Sequence, residues 1–169
     1  MNTAPGLARR LAAFVYEGVL LFGVLMIAGF LYSLITQQRH ALQGRTGMML
    51  FLFGVLGLYF TWFWSRGGQT VAMKAWHKRL LAADGSPVSQ LRAWARYLLA
   101  WLWFLPATAA VYGAGLHGKG EIATALFAGV LAYAALVWLR PDRQFWHDVV
   151  CGTRLVDCKP ARPPKAKSG

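Results

Sequence analysis

The sequence carries little charge, and very little of that charge is negative. Charged residues make up 14% of its 169 positions, with 6 Asp and Glu against 18 Lys and Arg. Ordinary soluble domains contain roughly a quarter charged residues, whereas 57% of this chain is hydrophobic and its mean hydropathy is +0.40. The apolar residues form long blocks instead of stripes interrupted by charge, which argues against a soluble helix bundle.

Cysteine is also scarce, and the signatures of most enzyme classes are missing. The two cysteines, Cys151 and Cys158, match no usual zinc spacing and are predicted to stay reduced. The sequence contains no HExxH or GxSxG motif. A catalytic dyad of the adjacent His147 and Asp148 is the weakest of the functional hypotheses. We therefore predict no catalytic residue, no metal, no cofactor and no enzyme activity.

The net charge of +12 raises the question of a nucleic-acid partner. Most basic residues, however, lie at the ends of the apolar blocks, where the anionic headgroups of a bilayer would meet them. The charge therefore predicts a membrane with anionic lipid as the partner, and no nucleic acid.

Four apolar blocks each come close to the ~20 residues that cross a hydrocarbon layer of ~30 Å. They run over residues 11–35, 48–64, 97–115 and 122–139. A helix is the only single segment that crosses lipid with its backbone hydrogen bonds satisfied. The sequence therefore predicts an all-α membrane protein, a bundle of four transmembrane helices, that occupies residues 1–158.

The positions of Lys and Arg predict how this bundle is oriented. Of the 18 basic residues, fifteen precede the first block, separate the second from the third, or follow the fourth. Because Lys and Arg are enriched in cytoplasmic loops, both termini and the loop at 66–95 are predicted to be cytoplasmic.

A small β element is predicted on the cytoplasmic side. Residues 80–83 form a short strand pattern before a turn, and residues 152–157 are a second extended stretch that we expect to pair with it. Ser89 has the position of an N-cap for the helix that follows. The basic, proline-containing tail at 159–169 is predicted to be disordered.

Small residues at regular spacing predict where helices pack closely. Gly54 and Gly57 lie in the second block, and Ala125 and Gly129 have the small-xxx-small spacing in the fourth. Such residues let helix backbones approach one another in a membrane.

Glu17 is the one acid well inside a predicted span, where an ionised carboxylate costs about 2.5–3.5 kcal/mol. Arg10 lies about 10 Å away along the helix, so Arg96 is the better candidate to reach Glu17. Asp148 is expected to bind Arg10 or Arg92. Two interpretations stay open: an ion or proton site made by Glu17, Arg10, Asp148 and Arg96, or, with more weight, a salt-bridge network that fixes helix packing.

Several short motifs occur together over nearly the whole chain. They are Ala8-Arg9-Arg10-Leu11, Glu17, Gly68-Gln69-Thr70, Met73-Lys74-Ala75-Trp76, Ala83-Asp84-Gly85, Arg96-Tyr97-Leu98 and His147-Asp148-Val149-Val150-Cys151-Gly152-Thr153. With them the chain resembles the RDD family of bacterial membrane proteins, named for one arginine and two aspartates. The resemblance implies that Arg10 is the family arginine, that Asp148 is the second acid, and that Glu17 replaces the first aspartate.

The resemblance also implies the bacterial inner membrane as the location, and transport as a function, since sodium/proton antiport has been suggested for some members. Our leading hypothesis is thus a small ion or solute transporter that uses the intramembrane carboxylate, alone or as a homo-oligomer. The alternative is a non-transporting scaffold, assembly or lipid-interacting factor, which the basic cytoplasmic face and the edges of the small sheet would serve.

Overall fold

The structure, a computed structural model, describes residues 4–37 and 44–158 and is mainly helical. Seven helices and two strands follow one another in this part of the chain. They are α1 (Leu7–Thr36), α2 (Arg45–Arg66), α3 (Val71–Ala75), β1 (Lys78–Ala82), α4 (Gln90–Ala100), α5 (Leu105–Gly113), α6 (Lys119–Ala135), α7 (Trp146–Val150) and β2 (Thr153–Asp157). Short 3₁₀ turns at Trp101–Trp103 and Leu136–Leu139 extend α4 and α6. The predicted disordered tail, 159–169, lies outside the described residues.

Three of these helices are long and apolar enough to cross a membrane: α1, α2, and α6 with its 3₁₀ extension. They coincide with the first, second and fourth apolar blocks. Their outer surfaces are apolar too, and on α1 a set of large hydrophobic side chains is at least 60% exposed: Val15, Val19, Phe22, Met26 and Phe30. Apolar surface on this scale needs lipid or a partner to cover it.

The third apolar block, 97–115, does not form a single helix of spanning length. It is divided among the end of α4, a 3₁₀ turn and the nine-residue α5. Pro106 lies in the first turn of α5. Because proline lacks an N–H and its ring clashes with the carbonyl four residues earlier, it disfavours a regular helix through this point. Three helices of the described chain, instead of the predicted four, therefore have spanning length.

The predicted β element is present as a two-stranded antiparallel sheet. β1 pairs with β2 from Lys78 opposite Asp157 to Ala82 opposite Thr153. β1 begins two residues earlier than the predicted strand. Leu80, at the middle of β1, is fully buried in a core with Trp64 of α2 and Tyr97 of α4. The sheet is thus attached to the helices through an apolar core.

Both outer edges of this sheet are hydrogen-bonded at their middle. On β1, the Leu80 N–H donates to the carbonyl of Gly68 over 2.7 Å. On β2, the side-chain amide of Gln144 accepts from the Leu155 N–H and donates to its carbonyl, both at 3.0 Å. These contacts leave little free backbone for a further strand at the centre of either edge.

Two glycines mark close helix contacts, as their spacing predicted. A Cβ on Gly57 would lie 2.6 Å from the Trp94 ring, so α2 and α4 are in close contact there. A Cβ on Gly129 would overlap the side chain of Ala107, which brings α6 against α5. Gly54, by contrast, has open space beside it, and the expectation of close packing there is wrong.

Candidate functional site

Glu17 lies on the inward face of α1 and is only 7% exposed. The Tyr59 hydroxyl of α2 donates to one carboxylate oxygen over 2.7 Å, and the Thr70 hydroxyl donates to the other. Thr70 is also the N-cap of α3, where its hydroxyl accepts from the Met73 N–H over 3.2 Å. The carboxylate therefore connects α1, α2 and the start of α3 through two hydroxyl donors.

Arg96 pairs with Asp148 and not with Glu17, which corrects the sequence prediction. The Arg96 Nε donates to Asp148 Oδ1 over 2.7 Å, and its guanidinium lies over the Trp64 ring at 4.1 Å. The expectation that Asp148 binds Arg10 or Arg92 is also wrong, since its second oxygen has no partner in the described chain. The reason is tertiary: α7 packs against α4 and brings Asp148 to Arg96, while Glu17 is already satisfied by hydroxyls.

The Asp148 carboxyl is fully buried and yet ionised. Burial opposes its ionisation, but the positive charge of Arg96 and its hydrogen bond, with a smaller contribution from Arg10, outweigh burial and lower the pKa of Asp148 below its ordinary value. The Arg96–Asp148 contact is therefore an ion pair at neutral pH, taken almost completely out of solvent.

His147 lies beside this ion pair and is neutral near pH 7. Its Nδ1 is 2.9 Å from the Tyr133 hydroxyl, whose oxygen accepts the His147 backbone N–H over 3.3 Å. Its Nε2 is 3.5 Å from Asp148 Oδ1. Burial lowers the pKa of His147 to about 4, with Arg96 and Arg10 acting in the same direction against Asp148. The Tyr133 contact favours the tautomer that carries its proton on Nε2, facing Asp148.

Arg10 is 5% exposed and is only partly satisfied. Its Nε donates to the Pro5 carbonyl over 2.8 Å, and its guanidinium lies 5.1 Å from the centre of the Phe145 ring. Within residues 4–37 and 44–158, neither terminal nitrogen, Nη1 or Nη2, has a hydrogen-bond partner. An unpaired buried cation is costly, so its two free donors are a feature that requires a function or a bound molecule.

These groups surround one cavity of about 320 Å³ between α1, α2 and α4. Four charged side chains line it: Arg10, Glu17, Lys78 and Arg96. Its remaining walls are largely aromatic and include Phe14, Phe60, Trp64, Trp101, Trp103 and Phe104. Three of the four predicted site residues thus meet at this cavity, while Asp148 lies behind Arg96 as its counterion.

The model of the RDD family matches residues 4–152, which contain all four predicted site residues and every residue that lines the cavity except Leu155. The chain belongs to the RDD family. No curated protein and no solved structure matches it. Family membership and the three apolar helices together make this RDD protein a membrane protein.

Three residues of the RDD protein's site were not predicted from its sequence: Tyr59, Thr70 and Lys78. Tyr59 and Thr70 hold Glu17, and Lys78 lines the same cavity with 1% of its surface exposed. In the sequence, Lys78 is only one of the basic residues that predict the orientation of the chain. In the structure, its ammonium is buried and donates to the Arg9 carbonyl. A signal for Thr70 was present, because the turn Gly68-Gln69-Thr70 was one of the motifs that carry the family resemblance.

Lys78 is a buried ammonium with two arginines and one aspartate nearby. Burial, with smaller contributions from the charges of Arg9 and Arg10 and against the opposing effect of Asp157, lowers the pKa of Lys78 to about 8. In the described part of this RDD protein, no three His, Cys, Asp or Glu side chains come together as ligands for a metal ion. The chemistry that the cavity offers is therefore one of cations, hydroxyls and a single carboxylate.

Proposed function

We propose that this RDD protein is a small transporter of ions or solutes in the bacterial inner membrane, with Glu17 as the carboxylate that exchanges a proton. The observation that carries the proposal is the position of Glu17, which is buried in a candidate membrane span and yet lines a cavity together with Arg10, Lys78 and Arg96. Ionisable groups at such depth are costly and commonly belong to ion or proton pathways.

A change in the charge of Glu17 would alter its hydrogen bond to the cytoplasmic loop that follows α2. An ionised carboxylate only accepts hydrogen bonds, and it accepts from the hydroxyls of Tyr59 and Thr70. A protonated carboxyl has its own proton to donate, so one of these hydroxyls must turn or leave. Because Thr70 caps α3, protonation of Glu17 is linked to the conformation of the loop after α2.

Four membrane crossings, with both termini cytoplasmic, belong to this proposal. The antiparallel sheet and the Arg9–Asp157 ion pair hold β1, β2 and the start of α1 together, and the proposal puts all three on the cytoplasmic side. With α6 as one crossing between β1 and β2, the proposal needs a second, which it assigns to residues 90–113. This segment consists of α4, a 3₁₀ turn and α5, and at about 1.5 Å per residue it would extend about 36 Å, enough for a kinked span.

The alternative of a non-transporting scaffold or lipid-interacting factor has less support. It rests on the basic cytoplasmic face and on the edges of the small sheet as a docking place for a partner. The middle of each edge is hydrogen-bonded within the chain, at Leu80 and at Leu155. Self-association into a homo-oligomer and contact with anionic lipid remain predictions under either function.

The test is proton and sodium flux in liposomes that hold the purified protein and the internal pH dye pyranine. Glu17→Gln keeps the shape of the side chain but removes its titratable proton, and we expect it to abolish a flux that the wild type shows. Glu121→Gln is the matched control, because Glu121 is exposed at the start of α6. Absence of flux from wild type under several ion gradients would contradict transport and favour the scaffold.

A further inference from the structure

Hydrogen-bond donors are in excess around the cavity. Among the described residues, the buried polar atoms without a partner that belong to cavity-lining side chains are Arg10 Nη1, Arg10 Nη2 and Trp64 Nε1. All three atoms are donors. A molecule that satisfies them must bring acceptor oxygens.

The two unpaired donors of Arg10 form a planar pair that suits an oxyanion. Its Nε is already bound to the Pro5 carbonyl, so the two terminal nitrogens remain as a planar pair. Such a pair matches the two oxygens of a carboxylate in a bidentate contact, which a lysine cannot reproduce. The stacked Phe145 ring holds the guanidinium plane in place.

The surrounding charge favours an anion. Arg10, Lys78 and Arg96 line the cavity against one carboxylate, Glu17. Glu17 accepts from hydroxyl donors on both oxygens and Asp148 accepts from Arg96, so neither carboxylate is hydrogen-bonded to Arg10.

The walls and the volume favour an apolar body of modest size. Eight Phe, Tyr and Trp side chains line the cavity, which has a volume of about 320 Å³. Binding pockets for small molecules are roughly 300–1,000 Å³ and mostly apolar, with a few polar groups that fix orientation. This volume suits a single chain and is small for a lipid with two acyl chains.

We propose that the cavity binds a single-chain amphipathic carboxylate, with its head on the Arg10 guanidinium and its apolar chain between α1 and the aromatic walls. This inference names the solute of the proposed transporter and therefore rests on the proposed function. Its test measures binding, which is independent of flux.

Quenching of tryptophan fluorescence in detergent tests the binding directly, because Trp64, Trp101 and Trp103 line the cavity. Bromododecanoate is the probe, since bromine quenches indole on contact. We expect saturable quenching and a loss of affinity of roughly 10–100-fold for Arg10→Gln, the effect of removing charge-assisted hydrogen bonds. Arg66→Gln is the matched control, because Arg66 is an exposed arginine outside the cavity, and it should bind as wild type does.

Three further probes identify the source of the anion. Bromododecanol has the same chain without the charge and should bind more weakly by a similar factor. Inorganic phosphate, which has the charge without the chain, should not displace the carboxylate at matched concentration. A brominated phospholipid should not quench saturably. Equal binding of the alcohol, displacement by phosphate alone, or saturable quenching only by the phospholipid would each overturn the proposal.

A second pair of variants keeps the test valid if Arg10→Gln does not fold. Gly18 and Gly23 both lie on α1 with open space where a Cβ would go, but only Gly18 lines the cavity. Gly18→Leu should weaken binding of bromododecanoate by filling the space of the chain, and Gly23→Leu should not. Equal affinities for the two variants would overturn the proposal.

Binding and transport are then separated by measuring both on the same preparations. Saturable, Arg10-dependent binding without flux would uphold this site and contradict the proposed transport. Flux that depends on Glu17 without any such binding would uphold transport and overturn this choice of solute.

Discussion

Replacing Asp148 with asparagine removes the counterion of a buried guanidinium while nearly preserving the shape of the side chain. Asp148 is fully buried and Arg96 is 9% exposed, and their atoms are 2.7 Å apart. Removing one partner of a buried ion pair costs about 3–5 kcal/mol, because the remaining charge stays out of water without compensation. The contact of Arg96 with the Trp64 ring, at 4.1 Å, is present before and after the change and does not replace the lost counterion. We therefore expect Asp148→Asn to lower the free energy of unfolding by about 3–5 kcal/mol.

The assay is unfolding in mixed micelles by titration with SDS, followed by tryptophan fluorescence and near-UV circular dichroism. Asp142→Asn is the matched control, because Asp142 forms an exposed ion pair with Arg140 whose loss should leave the midpoint unchanged. Removing both charges, in Arg96→Met with Asp148→Asn, should cost less than the sum of the two single changes. Such non-additivity is the signature of a direct pair.

The reasoning is refuted if Asp148→Asn destabilises the protein no more than Asp142→Asn does. Additive costs in the double variant would likewise show that Arg96 and Asp148 do not stabilise one another. The first result would mean that the Asp148 carboxylate is not buried, and the second that the two groups contribute separately.

Two stability predictions concern residues outside this pair. The pKa of His147 is lowered to about 4 from 6.5, so between these pH values the unfolded state binds more protons than the folded state. The contribution of His147 to the free energy of unfolding should therefore be fully present above pH 6.5 and should fall as the pH drops towards 4. His147→Gln should remove this pH dependence of the free energy of unfolding, and the same change at the exposed His117 should not. The same dependence on pH in both variants would contradict the assignment. Gly129→Ala places a Cβ against Ala107 and should lower the free energy of unfolding by roughly 1–3 kcal/mol in the same assay. Gly120→Ala, which has open space for its Cβ, should not lower it. Equal stability of the two variants would contradict close packing of α5 and α6.

The sequence was sufficient for the elements whose signal is local. Apolar runs located α1, α2 and α6 within a few residues, because a segment in lipid must be apolar along its length. Turn residues and an N-cap at Ser89 located the strands and the start of α4 for the same reason, since backbone hydrogen bonding and φ preferences act over a few positions.

The interruption at Trp101–Trp103 was a harder case. Pro106 was visible in the sequence, but a proline inside an apolar run is compatible with a kinked helix or with two helices. The packing of α4 against α2 and of α5 against α6 decided for a break, with each part bound to a different neighbour. An apolar run alone does not specify which neighbour each half will have.

At the site, the sequence indicated some of the buried charged residues, missed Lys78, and left open which of them meet. It placed Glu17 within an apolar run and Arg10 and Asp148 next to others, and those residues gather around or behind one cavity. Only the tertiary structure paired Arg96 with Asp148, gave Glu17 its hydroxyl donors, and left the end of Arg10 free. The physical reason is range: hydropathy is a property of neighbours along the chain, whereas a hydrogen-bond partner is chosen among side chains that packing brings within about 3 Å.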